Sequence, residues 1–202
     1  MASQQAAFVL ASGSAGRRMV LRNAGLVFDV MPAEVDEEAI RQRFLQQPHA
    51  DLTALAQALA DAKALEVSRR TGLPVLGGDQ ILVLEGEVFS KPRSMEEARE
   101  NLLKLRGRSH RLISALSVAE GGKLAWQHVG IATMTMRAFS DSFLDAYLAQ
   151  VGEAALASVG CYQVEGPGIQ LFEKIEGDHF TIIGLPLLPF LHWLRGRGLL
   201  PS

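Results

Sequence analysis

The chain has 202 residues, 48% of them hydrophobic and 21% charged, a globular composition with enough length to bury a full core without disulfide or metal staples. Its 20 basic and 22 acidic side chains leave a formal charge of −2, so no basic excess points to a nucleic-acid partner. A single cysteine, Cys161, excludes an intrachain disulfide and a Cys-rich zinc site.

Along the chain, Ala6 to Ser12 reads as a short buried strand ended by the small residues Gly13 to Gly16. No basic region precedes an apolar stretch there, so no secretory signal is expected. A helix follows from about Ser14 to Asn23 and stops at Gly25; Val27 to Met31 reads as a second strand. Asp36, Glu37 and Glu38 suit the positive end of a helix dipole, so an acidic helix is expected to open over Glu34 to Glu38. Asp51 to Arg70 carries the strongest helical signal, with Leu52, Leu55, Ala56, Leu59 and Lys63 at helical spacing and Gly72 and Pro74 beyond its end. Pro74 to Gly78 reads as a core strand ending in Asp79, followed by a hairpin of Ile81 to Leu84 and Glu87 to Phe89 around Glu85-Gly86. Ser94 to Leu105 reads as a helix with Ser94 and Glu97 in capping-box register. Arg111 to Ala119 and Leu124 to Arg137 read as two long strands joined at Gly121-Gly122. Ser140 begins a helix to Gln150, and Leu185 to Arg195 is a final apolar helix. The longest apolar run, Ile182 to Leu194, is too short for a membrane span and holds Pro186, Pro189 and His192. No repeat or linker composition marks a boundary. The expectation is one cytoplasmic α/β domain over residues 1–202, with a mixed twisted sheet flanked by helices and neither a membrane nor a nucleic-acid partner.

Several groups of residues could carry chemistry. Ser12-Gly-Ser14-Ala-Gly-Arg17-Arg18 follows a strand and opens a helix, where backbone N–H groups, hydroxyls and a guanidinium could hold phosphate; the other reading is a small-residue turn with solvated arginines. Asp79 directly follows an apolar strand, placing a carboxylate where open α/β sheets bind ligands, or else closing a turn. Glu34, Asp36, Glu37 and Glu38 either bring a divalent metal to phosphates or form a solvated helix start. Lys63 and Lys91, the latter held by Pro92, are point charges suited to phosphate if they are not ordinary surface lysines. Glu165 stands in Gln163-Val-Glu165-Gly-Pro-Gly168, either facing a ligand that backbone approaches closely or capping a turn. The five histidines show no metal-ligand spacing, and Cys161 reads as a small packed residue.

Together these segments resemble the Maf family of nucleotide pyrophosphatases. Leu10-Ala-Ser12-Gly-Ser14-Ala-Gly-Arg17-Arg18 is similar to the family's Leu-Ala-Ser-x-Ser-Pro-Arg-Arg signature, and Glu34-Val-Asp36-Glu37 to its acidic segment. Ala62-Lys63-Ala64 resembles its helix lysine, and Gly78-Asp79-Gln80 with Lys91-Pro92 its central block. Glu165-Gly-Pro-Gly168 through Ile175-Glu-Gly177 and Gly184-Leu-Pro186 resembles its C-terminal signature. The order holds over roughly residues 8 to 190. Ala15 stands where the family usually has Pro, Gly16 where it has Arg or a bulky residue, and Thr181 where many members have Asn. One guanidinium of the usual pair is therefore missing or displaced, and Arg18 is the candidate replacement.

The resemblance implies an elongated α/β protein with a deep cleft, a homodimer, and hydrolysis of a nucleoside triphosphate between the α and β phosphates with magnesium or manganese. It assigns Ser12, Ser14, Arg17, Lys63 and Lys91 to substrate binding. Glu37 and Asp79 fall to metal contact and proton acceptance, with Asp79 favoured because the family's catalytic carboxylate lies there; chemistry alone does not choose between the two. Gly16, Gln80 and Glu165 are the implied specificity positions. Asp79-Gln80 and Glu165 follow the 7-methyl-GTP branch, whereas the dTTP and UTP branch resembles Asp-Thr and Gln. The rival readings are that branch, a non-catalytic nucleotide-sensing regulator of cell division, and a generic phosphotransferase or sugar-nucleotide enzyme.

Overall fold

The computed structural model describes residues 5–47 and 49–201. The strands are β1 (Phe8–Leu10), β2 (Phe28–Val30), β3 (Val75–Leu84), β4 (Glu87–Phe89), β5 (Ser109–Glu120), β6 (Lys123–Met136) and β7 (Phe172–Glu176). The helices are α1 (Ala15–Asn23), α2 (Glu37–Leu45), α3 (Leu52–Ser68), α4 (Met95–Leu105), α5 (Asp141–Val151), α6 (His179–Ile183) and α7 (Leu187–Gly196), with 3₁₀ turns at Gly152–Ala157 and Pro167–Leu171. The sheet order is β2-β1-β3-β5-β6-β7, with β4 paired to β3. β1 runs parallel to β2 and β3, while β3–β4 and β6–β7 are antiparallel, so the sheet is mixed, as the alternation of elements predicts.

The chain forms two compact units. The first takes the residues up to Gln80, Ser114–Gly130 and those from His179 onward; the second takes Ile81–Ile113 and Ile131–Asp178. In the first, Phe8, Leu10, Leu21, Leu76, Leu116, Phe190 and Leu194 build the core. The expected caps are present: Ser14 Oγ accepts from the Arg17 N–H at the head of α1, and Asp51 caps α3. Gly121 and Gly122 both take positive φ, as a tight turn between β5 and β6 requires.

Four details differ from the sequence expectation. The strand expected to end at Asp79 continues as one ten-residue strand, so Asp79 lies mid-strand. Gly77 explains the false ending: it is a point of close approach, not a turn. A Cβ there would lie 2.4 Å from the Ala60 carbonyl oxygen and 2.6 Å from the Ala64 nitrogen of α3. Gly77→Ala is therefore expected to destabilise the fold by about 1–3 kcal/mol through overpacking, read as a lower urea midpoint; an unchanged midpoint would show that α3 can retreat freely. Next, α2 begins at Glu37, because Asp36 caps it by accepting from the Ala39 N–H; Glu34 lies outside the helix. The capping box at α4 is also shifted. Ser94 accepts from the Glu97 N–H, but Glu97 accepts from Arg93 rather than from the cap residue. Finally, α6, β7 and the 3₁₀ turns were not expected, and the last helix starts at Leu187.

In the second unit, burial pushes the Cys161 thiol up to about 12, so Cys161 is a packed, unreactive residue. His110 is buried with its Nε2 2.7 Å from the Tyr162 hydroxyl, and burial lowers its imidazole to about 4. An unfolded-chain histidine titrates near 6.5, so the unfolded state binds a proton that the folded state refuses. The contribution is complete above about pH 6.5 and is lost as the pH falls toward 4. Urea midpoints of the wild type are expected to drop between about pH 6.5 and pH 5, more steeply than those of His110→Gln; parallel profiles would remove His110 as the cause.

Candidate active site

The first unit gathers most of the predicted residues. Ser12 leaves the buried end of β1, and its Oγ accepts from the Ser14 N–H at 3.2 Å and from Arg17 Nη1 at 3.1 Å. Arg17 is buried at the head of α1, where its Nε donates to the Gly184 carbonyl at 2.8 Å. Burial lowers the guanidinium's pKa, against which the carboxylates of Asp79 and then Glu37 pull upward. Gly78 makes room for this arrangement, since a Cβ there would lie 3.3 Å from Arg17 Nε. Gly184 takes φ +96°, a conformation that suits glycine and directs its carbonyl to Arg17.

Lys63 on α3 joins two carboxylates from separate elements. Its ammonium is 2.7 Å from Asp79 Oδ1 on β3 and 2.8 Å from Glu37 Oε1 on α2. Asp79 is buried, and its Oδ2 has no hydrogen-bond partner among the described residues. Arg41, one helical turn beyond Glu37, also reaches this cluster, with Nη2 3.9 Å from Asp79 Oδ2. The sequence reading missed Arg41, although its i,i+4 spacing from Glu37 was available as a signal. Arg18, the candidate for the missing guanidinium, is half-buried and forms no ion pair with either carboxylate.

Gln80, one of the implied specificity positions, is engaged within the first unit. Its Nε2 lies within hydrogen-bond distance of Ser114 Oγ and the carbonyls of Thr181 and Ile182, and Ser114 Oγ itself donates to the Thr181 carbonyl. The amide therefore fixes the segment that presents Gly184 to Arg17. Gly16 lies in the first turn of α1, where a Cβ would meet Ile183 Cγ2 at an ordinary 3.5 Å, so the position accepts a side chain.

Lys91 and Glu165 belong to the second unit. Lys91 is exposed beside buried Pro92. Glu165 is exposed ahead of the 3₁₀ turn Pro167–Leu171, which has no side-chain cap; the preceding turn is closed by the Gly166 N–H donating to the Gln163 carbonyl. Glu165 is thus not a capping residue. Among the described residues no group of three or more His, Cys, Asp or Glu side chains could hold a metal ion, and no helix is long and apolar enough to cross a membrane.

The family model for Maf-like proteins matches residues 7–197. A 7-methyl-GTP pyrophosphatase of Mesorhizobium japonicum is 56% identical over 191 residues, covering 94% of this chain and 96% of that protein. One of the same name from Brucella abortus is 52% identical over 188 residues, covering 93% and 94%. A nucleoside triphosphate pyrophosphatase of Granulibacter bethesdensis is 49% identical over 188 residues, covering 93% of this chain and 95% of that protein.

Proposed function

The chain belongs to the Maf-like protein family, and we propose on that footing that it is a nucleoside triphosphate pyrophosphatase, a hydrolase of acid anhydrides that cuts between the α and β phosphates. The observation that carries this reading is the Glu37–Lys63–Asp79 cluster beside buried Arg17: two carboxylates and two cations within one unit. Phosphoryl chemistry asks for that combination, since charge spreads over phosphate oxygens while an attacking water must lose a proton. Ser12, Ser14 and Arg17 hold phosphate oxygens at the head of α1, and Lys63 adds positive charge. Asp79 accepts the proton on Oδ2, the oxygen that Lys63 leaves unbound.

Pyrophosphatases of this kind use divalent metals, and Glu37 and Asp79 would hold such an ion here. Two carboxylates close enough to share one ammonium are close enough to share one hard cation. Magnesium or manganese held there would supply charge that neutralises phosphate oxygens and acidifies the attacking water.

Incubation with nucleotide and magnesium, with pyrophosphate, orthophosphate and triphosphate separated, tests the reaction. Pyrophosphate is the expected product; orthophosphate released first, or full activity in excess chelator, would refute it. A non-catalytic regulator of cell division would bind without turnover, and the pyrophosphatase names of the curated relatives speak for the enzyme. We take residues 1–202 as one catalytic domain working in the cytoplasm, which cell fractionation can test, and as a two-fold homodimer. Light scattering at micromolar concentration reads the mass of that dimer.

A further inference from the structure

Lys63 takes one oxygen of each carboxylate in the cluster, and Arg41 faces the other two. Its Nη2 stands 3.9 Å from Glu37 Oε2 and 3.9 Å from Asp79 Oδ2, equidistant and beyond hydrogen-bond reach. Arg41 Nη1 and Asp79 Oδ2 are both buried and without hydrogen-bond partners among the described residues. Helix packing does not account for this placement. α2 contains no buried residue, yet the Arg41 side chain is only 16% exposed. An i,i+4 pair with Glu37 at that distance contributes little on its own, while a buried N–H without a partner is costly.

We infer that Arg41 is a positioning residue of this site, balancing the charge of the Glu37–Asp79 pair from the oxygens that Lys63 leaves, so that Lys63 is free to turn to a phosphate. The inference rests on the proposed function, in which these carboxylates hold a divalent cation and Lys63 meets the substrate. Lys63 and Arg41 together neutralise the two carboxylates in formal charge. Once Lys63 engages phosphate, Arg41 keeps the carboxylates from facing each other uncompensated. The same charge opposes a free divalent cation at the pair, because Coulomb repulsion acts over these short distances in a partly buried setting.

Manganese binding to the free protein, followed by electron paramagnetic resonance, separates this role from a structural one. Arg41→Gln is expected to bind Mn²⁺ about fivefold or more tightly than wild type, since a positive charge beside both donors is gone. Its kcat is expected to fall about tenfold or more with KM within about threefold, the pattern of an interaction used in the transition state. Arg41→Lys, which keeps the charge, stays within about twofold of wild type in Mn²⁺ binding. A structural role instead loosens Mn²⁺ in the glutamine variant. Equal or looser Mn²⁺ binding in Arg41→Gln, or an unchanged kcat, overturns the inference. Absence of Mn²⁺ binding in all three proteins takes down the metal assignment and the inference together. If wild type releases no pyrophosphate but the Mn²⁺ order holds, the reaction assigned to the site fails while the place of Arg41 beside the pair stands. Should Arg41→Gln not fold, Arg41→Met, of similar length, is read by the same criteria.

Discussion

Asp79→Asn lowers turnover at least ~100-fold, the lower end of what a positioned acid–base group contributes. The amide keeps the shape of the side chain and can keep an oxygen on Lys63, which holds Asp79 Oδ1 at 2.7 Å. Its NH₂ group then occupies the place of Oδ2, so the open acceptor becomes a donor facing the Arg41 guanidinium at the 3.9 Å contact. The proton acceptance proposed for Asp79 is lost, and Lys63 and Arg41 are left with Glu37 as their remaining carboxylate in the cluster. Part of the effect is electrostatic, because removing one member of a buried charged set exposes the others. Thermal unfolding of the variant separates the two contributions: a folded protein with a collapsed kcat assigns the loss to chemistry. Retention of most wild-type activity would take Asp79 out of the role and leave Glu37 as the acceptor.

How far the site could be read from the sequence depends on how local each interaction is. Lys63 was legible because α3 has seventeen residues of regular 3.6-period pattern, which places its side chain whatever the rest of the fold does. Ser14 and Asp51 were legible as caps because a cap needs a hydroxyl or carboxylate and the next turn of backbone. Asp79 was found but given the wrong backbone context. Gly77-Gly78-Asp79 has the composition of a turn, and only the packing of α3 shows why glycine is required inside a strand. β7 was missed for a related reason: Phe172–Glu176 exposes Glu173, Lys174 and Glu176, and its strand character comes from pairing with β6 rather than from its own pattern. Arg41 and Gly184 lay further out of reach. Arg41 reads as one more solvated charge until α2 is placed over Asp79, and the Gly184 carbonyl meets Arg17 across 167 positions of sequence. Gln80 was singled out for base recognition, but the contacts of its amide are with Ser114 and the carbonyls of Thr181 and Ile182.

We expect kcat/KM for 7-methyl-GTP, and for GTP after it, to exceed that for dTTP and UTP by roughly ten- to 150-fold, the worth of a hydrogen bond to a charged group. A guanine edge presents two adjacent donors, N1–H and the 2-amino group, which one carboxylate accepts together. Methylation at N7 makes the base cationic and adds attraction to an anion. Thymine and uracil offer one N–H between two carbonyls, which an amide matches better than a carboxylate does. Glu165 is exposed and leaves the adjacent 3₁₀ turn uncapped, so its carboxylate is not committed to holding its own loop. Gly168 keeps that loop close to its own backbone, since a Cβ there would lie 2.6 Å from the Gln163 carbonyl oxygen. Gly16 acts in the other direction: it carries no side chain where the family resemblance implies Arg or a bulky residue, so unmethylated purine triphosphates should be accepted as well. Glu165→Gln replaces two acceptors with one acceptor and one donor, and it should narrow the gap between the purine substrates and dTTP by raising the second while lowering the first. Ranking kcat/KM for 7-methyl-GTP, GTP, dTTP, UTP and CTP in both proteins decides the matter. With dTTP or UTP on top in the wild type, the carboxylate of Glu165 is not what reads the base.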